Sequence, residues 1–345
     1  MRARSSAEDK SQKPSRLAVF GAGSWGTALA IALAPRFECV RLWARDEARA
    51  EEIARLRENR RYLPGFLLPR QVSVSSNMAL AFEDADIAIV AIPSRYLRAV
   101  LEAAEPHLPR RATLVSAAKG IEENTLCRMS EVISRALFLS PQRPIAVLSG
   151  PTFAREIAAG EPAAVVVASE DLALAEEIQR AFATPTLRLY ASSDVIGVEL
   201  GAALKNVIAI GAGICHGLGL GSNGIAALIT RGLAEITRLA VTLGGCPRTL
   251  SGLAGLGDLV LTATGNLSRN RFVGMQLGEG RRLEEILQGM NMVAEGVGTC
   301  RAAHQLGIEK KVDLPIIDKM HEVLYESKDP RQAIRELMER PLTSE

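Results

Sequence analysis

Little in this sequence invites a disulfide, a metal or a stacking platform. Its five cysteines, Cys39, Cys127, Cys215, Cys246 and Cys300, are scattered over 345 residues, odd in number and without a C-x-x-C pair. That excludes a disulfide framework and a zinc site and makes a reducing, cytoplasmic compartment the expectation. The four histidines show no metal-ligand spacing. Aromatic residues make up 4%, too few for a surface on which single-stranded bases stack. A formal net charge of +2 gives no global field towards nucleic acid or membrane, so an anionic ligand must be met by local charges. The longest apolar stretches are interrupted by Lys205, Asn206, Asn223 and Arg231, so no membrane insertion is expected. Residues 1–15 are polar, mixed in charge and without an apolar core; they read as a disordered leader rather than a signal peptide.

What the chain does have is apolar material, 48% of its residues. At this length two cores are expected rather than one. Short β-branched runs at Arg16–Gly21, Cys39–Arg45, Ile87–Pro93, Thr113–Ala118, Ile145–Gly150, Ala163–Ser169 and Leu187–Ala191 read as strands. Helical stretches separate the first five. Near-continuous apolar strands alternating with helices point to a doubly wound α/β fold, its parallel sheet covered on both faces. From Asp194 onward the β-branched runs vanish. Asp194–Gly211, Asn223–Leu243, Leu283–Gly289, Leu314–Tyr325 and Pro330–Glu339 carry helical periodicity instead. The expected organisation is therefore a leader over 1–15, a dinucleotide-binding domain over 16–193 and an all-α domain over 194–340. No linker separates the two domains, so a packed interface with a cleft is expected.

The first expected strand runs straight into Gly21-Ala22-Gly23-Ser24-Trp25-Gly26 and an Ala/Leu-rich helix. In that order G-x-G-x-x-G is a dinucleotide signal. Gly21 permits the tight turn, Gly23 lets backbone approach a pyrophosphate, and Gly26 lets helix pack on strand. The helix N-terminus adds N–H donors and a positive dipole end. The second strand ends at Arg45-Asp46. An Arg there suits the 2′-phosphate of NADP, an acid the ribose hydroxyl of NAD, and a plain solvated ion pair is the other reading.

Charged residues also stand where ordinary packing does not require them. Lys119 closes the fourth expected strand, at the sheet edge where open α/β sheets bind ligands. The small-residue turn Gly150-Pro151-Thr152 follows the fifth. Lys205 lies beside Asn206 on an apolar helix. It either snorkels to the surface or sits in a pocket, where burial would make it a usable general acid/base. Asp258 begins a helix after a Gly-rich turn, as a cap or as a site residue. Ser268-Arg269-Asn270 reads as a donor cluster suited to a phosphate, or as a solvated basic loop. A lone acid, Glu295, follows Val293-Ala294.

Taken together, GAGSWGTALA, LWAR, NRRYLPG, AIPS, AAKG, LSGPTFA, VIGVELGAALKNVIAIGAG, AALITRGLAEI, GLAGLGDLVLT and SRNR resemble the bacterial NAD(P)-dependent glycerol-3-phosphate dehydrogenase family from about Arg16 to about Arg340. The resemblance implies a Rossmann-type domain followed by a helical one, with the active site between them. It implies reduction of dihydroxyacetone phosphate, a phosphorylated triose, with NADP or NAD as cofactor, in the service of phospholipid synthesis. By motif position it implies Lys205 as general acid/base. Lys119, Gly150, Thr152, Asp258, Ser268, Arg269 and Asn270 fall at substrate positions. Gly21, Gly23, Ser24, Trp25, Gly26, Arg45, Ala154, Val293 and Glu295 fall at cofactor positions, with Lys119 and Arg269 shared. His216 and Ser222 stand where the family more often has acids, and Ala294 where it has a larger apolar residue. A homodimer is expected from the apolar helical faces. Two other readings remain at this point. One is a two-domain reductase of a non-phosphorylated hydroxy- or keto-acid; the other is a dinucleotide sensor without turnover.

Overall fold

Eight strands form one sheet: β1 (Arg16–Phe20), β2 (Cys39–Trp43), β3 (Val72–Ser75), β4 (Ile87–Val90), β5 (Thr113–Ser116), β6 (Ile145–Ser149), β7 (Ala163–Ala168) and β8 (Leu187–Ser192). The structure, a computed structural model, describes residues 15–137, 143–290 and 292–342. The expected leader, Ser15 apart, lies outside the described residues.

The sheet order is β3-β2-β1-β4-β5-β6-β7-β8. Strands β1 to β6 pair in parallel, β7 runs antiparallel to β6, and β8 is parallel to β7. Seven of these strands stand where the β-branched runs are. The eighth, β3, is only four residues, Val-Ser-Val-Ser, and too short to stand out as a run. Its presence makes Thr113–Ser116 the fifth strand and Ile145–Ser149 the sixth, one place later than the sequence suggests.

Strand β1 shows why its sequence is apolar throughout. Leu17 and Val19 point into one core, under the helix Ser24–Leu33, while Ala18 and Phe20 point into the other. Burial on both faces leaves no polar alternation. Phe20 stacks on Phe82 with ring centroids 3.8 Å apart. The register then aligns the strand ends. Phe20 pairs with Trp43 and with Val90, and Val90 pairs with Ser116. Gly21, Ala44, Ala91 and Ala117 therefore leave the sheet side by side. The chain order reverses between β1 and β4, the switch point at which such sheets bind ligands.

After β8 the chain is helical among the described residues. Its centre is Val195–Gly217, 23 residues, buried from Val198 to Cys215. It is the one described helix long and apolar enough to cross a membrane, and 89% of its apolar window is buried in the protein, the pattern of a core helix. Asp194 caps it by accepting from Gly197 N at 2.8 Å. The helix Arg269–Gly278 packs against it backbone to backbone: a Cβ on Gly213 would lie 2.0 Å from the Arg271 carbonyl oxygen, and one on Gly274 would lie 1.9 Å from that of Ile210. Only glycine fits at such an approach. The spacing Gly213/Gly217 against Gly274/Gly278 thus carries the Ser268–Asn270 segment up against Lys205 and Asn206.

Candidate active site

A cleft of about 740 Å³ opens between the sheet edge and the helical half. Fourteen of the residues singled out in the sequence line it: Gly21, Gly23, Ser24, Trp25, Arg45, Lys119, Thr152, Ala154, Lys205, Ser268, Arg269, Asn270, Val293 and Glu295. Gly26, Gly150 and Asp258 stand behind them.

The glycine turn has the form its motif requires. Gly21 adopts φ +104°, and a Cβ there would meet the Ala91 carbonyl oxygen at 2.7 Å. A Cβ on Gly26 would lie 2.0 Å from the Gly21 carbonyl oxygen. Gly23 differs, because a Cβ on it would meet nothing within 4 Å. Protein packing does not require glycine there, whereas a ligand approaching the backbone would. The Trp25 indole nitrogen is buried without a partner among the described residues. An open cradle and a waiting donor, at the N-terminus of a ten-residue helix, fit a dinucleotide.

At the tip of β2 the Arg–Asp pair separates into two roles. Asp46 caps the helix Glu47–Leu56, accepting from Arg49 N at 2.9 Å. Arg45 makes no ion pair with any described residue; its guanidinium lies 5.7 Å from the Tyr96 ring centre, with Arg95 4.5 Å from the same ring. The solvated Arg45–Asp46 ion pair is therefore not formed.

The deepest part of the site is a chain of charges. Lys205 is 5% exposed and Asp258 fully enclosed. Lys205 Nζ donates to Asp258 Oδ1 and, at 2.7 Å, to Thr262 Oγ1. Lys119 Nζ donates to Asp258 Oδ2 at 2.8 Å and to the Gly150 carbonyl at 3.3 Å. Thr152 Oγ1 donates to that carbonyl as well, at 3.1 Å. Gly150 sits at φ +151°, where a Cβ would press on Val165; that turn aims its carbonyl at Lys119.

Lys205 therefore does not snorkel, and Asp258 is a site residue rather than a cap: it makes no capping bond and holds two ammonium groups. Burial pulls the Lys205 ammonium down to about 7, against the upward pull of Asp258 and with a further downward push from Lys119. A lysine there exchanges its proton near neutral pH.

Next to this chain, Asn270 Nδ2 donates to Asn206 Oδ1 at 2.9 Å, and Asn270 Oδ1 accepts from Gly296 N at 3.0 Å. Ser268 caps the helix Arg269–Gly278 through a bond from Arg271 N at 3.2 Å, so the donor cluster is a helix start and not a loop. Arg269 lines the cleft and makes no hydrogen bond or ion pair with a described residue. Burial pulls its guanidinium below the ordinary value, partly offset by Glu295, and an arginine remains charged regardless. Glu295 accepts from Ser94 N at 3.3 Å and from Ser94 Oγ, which ties the helical half to the start of the helix after β4. Burial raises its carboxyl.

Thr262 was not singled out by its sequence context, although it stands one helical turn after Asp258 and therefore on the same face. Asn59, wholly buried behind the glycine turn, has no local pattern to mark it.

Both halves match known proteins. Residues 16–175 match the N-terminal and residues 194–335 the C-terminal part of the family described as NAD-dependent glycerol-3-phosphate dehydrogenase. The glycerol-3-phosphate dehydrogenase [NAD(P)+] of Syntrophotalea carbinolica is 51% identical over 329 residues, 95% of this chain and 99% of the relative. That of Koribacter versatilis is 50% identical, covering 96% of this chain and 99% of its own length. The crystal structure of glycerol-3-phosphate dehydrogenase from Coxiella burnetii superposes with a TM-score of 0.90 at 38% identity, over 95% of this chain and 99% of that one. With both halves matched and full-length relatives at half identity, this chain belongs to the NAD-dependent glycerol-3-phosphate dehydrogenase family.

Proposed function

We propose that this chain reduces dihydroxyacetone phosphate to sn-glycerol 3-phosphate, reversibly, with NADPH or NADH. The observation that carries the reading is the buried Lys119–Asp258–Lys205 chain, which opens into the same cleft as the glycine turn and an unpartnered Arg269. A small phosphorylated ketone needs those three things together.

Residues 16–193 serve as the cofactor half and 194–340 as the substrate half. Gly21, Gly23, Ser24, Trp25 and Gly26 hold the pyrophosphate side of the dinucleotide. Arg45 faces its adenosine end, while Ala154, Val293 and Glu295 line the far wall. A bound nicotinamide supplies the hydride in one direction and takes it in the other.

The chain's own residues do the rest. Arg269 meets the substrate phosphate with its forked donors, helped by Asn270 and Ser268 at the N-terminus of a helix. Lys119, Gly150 and Thr152 shape the wall beside the ketone. Lys119 and protonated Lys205 stabilise the negative charge that grows on the carbonyl oxygen. Lys205 gives its proton to that oxygen as the alcohol forms, and takes it back in the reverse direction. Asp258 keeps both ammonium groups in place, and Thr262 fixes the Lys205 amine. Closure of the cleft excludes water and strengthens each of these interactions.

The product supplies the glycerol phosphate backbone for phospholipid synthesis. The five cysteines, none in a disulfide, support a cytoplasmic setting. The half-exposed helix Ser222–Thr242 supports a homodimer, tested by the solution mass. The activity is tested by loss of reduced-nicotinamide absorbance with dihydroxyacetone phosphate, run with NADPH and with NADH. Unphosphorylated dihydroxyacetone is the control. Turnover with the phosphorylated ketone alone supports the reading; equal turnover with both ketones removes the role given to Arg269.

A further inference from the structure

We infer that Asn59 is a positioning residue for the cofactor: one buried side-chain amide sets both the pyrophosphate turn and the neighbouring wall of the cleft. The inference rests on the cofactor reading above and adds a residue that contacts no ligand.

Asn59 lies beyond the helix Glu47–Leu56 and is fully buried. Its Nδ2 donates twice: to the carbonyl oxygen of Ala22 at 2.9 Å and to Thr27 Oγ1 at 2.8 Å. Its Oδ1 accepts from Tyr62 N at 3.3 Å, and its own carbonyl accepts from Leu63 N at 2.8 Å. Ala22 and Thr27 bracket the G-x-G-x-x-G segment. Tyr62, Leu63 and Pro64 line the cleft. Two chain segments 37 residues apart therefore meet through one amide group. That group uses both donor hydrogens and its acceptor, so no other common side chain replaces it.

Peptide geometry gives this contact its consequence. In a trans peptide the C=O and the following N–H point in opposite directions. No cis bond occurs among the described residues. With the Ala22 carbonyl pinned inward by Asn59, the Gly23 N–H is turned away from Asn59. On that side Gly23 lines the cleft, and a Cβ on it would find open space. Asn59 thus keeps a backbone donor aimed at the place where a phosphate oxygen is to lie. Without it the Ala22 carbonyl loses its buried partner, and the peptide is free to turn.

A turn that is competent only part of the time binds more weakly in proportion. Loss of a buried amide contact is worth about 1–3 kcal/mol, so dissociation and Michaelis constants for NADPH should rise roughly tenfold or more. Turnover at saturating cofactor, and the Michaelis constant for the ketone phosphate, should hold, because Lys119, Lys205, Asp258 and Arg269 lie outside this network. A merely structural residue would instead lower melting temperature and turnover together.

The test is to titrate NADPH fluorescence and measure initial rates in Asn59→Ala and Asn59→Asp, with the melting temperature recorded for each. Asn59→Asp keeps the acceptor for Tyr62 but loses the donors to Ala22 and Thr27, so it should behave like Asn59→Ala. Should either fold poorly, Thr27→Val and Thr27→Ser carry the test: the valine should weaken NADPH binding, and the serine, which keeps the hydroxyl, should restore it. Weaker NADPH binding with turnover intact supports the inference. Wild-type NADPH affinity in a folded Asn59→Ala chain, or lost turnover at unchanged affinity, overturns it while leaving the activity untouched. A wild-type chain that binds no dinucleotide overturns both.

Discussion

Lys205 and Asp258 meet in a contact from which solvent is absent: the lysine is 5% exposed, the aspartate 0%. Two consequences follow from the charge balance there. Burial holds the lysine near 7, so its protonated fraction falls as pH rises through that value. Ketone reduction needs the protonated form. Its kcat should therefore decline above about pH 7, and alcohol oxidation, which needs the free amine, should rise over the same interval. Lys205→Ala should lose kcat by roughly 10²-fold or more with NADPH affinity intact. A Lys205→Ala enzyme that kept wild-type turnover would remove the role assigned here.

Asp258→Asn tests the other side of the contact. The aspartate pulls the lysine upward, while desolvation and Lys119 push it downward. Removing the negative charge leaves only the downward influences, so the reduction limb should move to lower pH. Breaking one partner out of a buried pair costs about 3–5 kcal/mol, and melting should fall accordingly. A pH profile that stayed where it was would mean that Asp258 does not set the lysine's proton affinity.

For the phosphate, Arg269 is the decisive change. Its guanidinium lines the cleft with no partner in the protein, so Arg269→Ala creates no new buried orphan. The loss should appear in the Michaelis constant for dihydroxyacetone phosphate. A charge-assisted bond of about 1.5–3 kcal/mol corresponds to roughly 10- to 100-fold. Arg269→Lys should recover only part of this, because an ammonium lacks the fork. Activity on unphosphorylated dihydroxyacetone should be unaffected.

The glycines of the turn separate packing from ligand binding. A Cβ at Gly26 would lie 2.0 Å from a backbone oxygen, and one at Gly23 would touch nothing. Gly26→Ala should therefore destabilise the fold by more than the about 1–3 kcal/mol of ordinary overpacking. Gly23→Ala should melt within about 1 kcal/mol of wild type, the cost of a poorer helix cap, yet bind NADPH much more weakly. Unchanged NADPH binding in Gly23→Ala would mean that the cofactor does not approach the backbone there.

How much of this was legible beforehand depends on the range of the signal. Seven strands, the glycine turn and the long apolar helix declare themselves through local period and composition. The four-residue β3 does not, because its alternation is too short and it sits at the sheet edge. The helix Arg269–Gly278 was hidden for another reason: what holds it is a glycine-to-glycine approach to a helix more than fifty residues earlier. Lys205 in isolation reads equally as a surface lysine. Only the fold shows that Asp258, Thr262 and Lys119 surround it. Asn59 is the extreme case, since nothing near it in sequence tells which carbonyl it will meet.

Cofactor preference turns on Arg45. Asp46, the residue that could hold the ribose hydroxyls, already caps a helix through Arg49 N. Arg45 carries no ion pair and faces the cleft beside Tyr96 and Arg95. An unpaired cation suits the 2′-phosphate of NADPH and has no counterpart in NADH. Arg45→Ala should raise the Michaelis constant for NADPH by roughly 10- to 100-fold, the worth of a charge-assisted contact, and leave that for NADH nearly unchanged. The measurement is the ratio of kcat/KM for the two cofactors in wild type and variant. A parallel loss with both would place Arg45 on a part of the dinucleotide that they share.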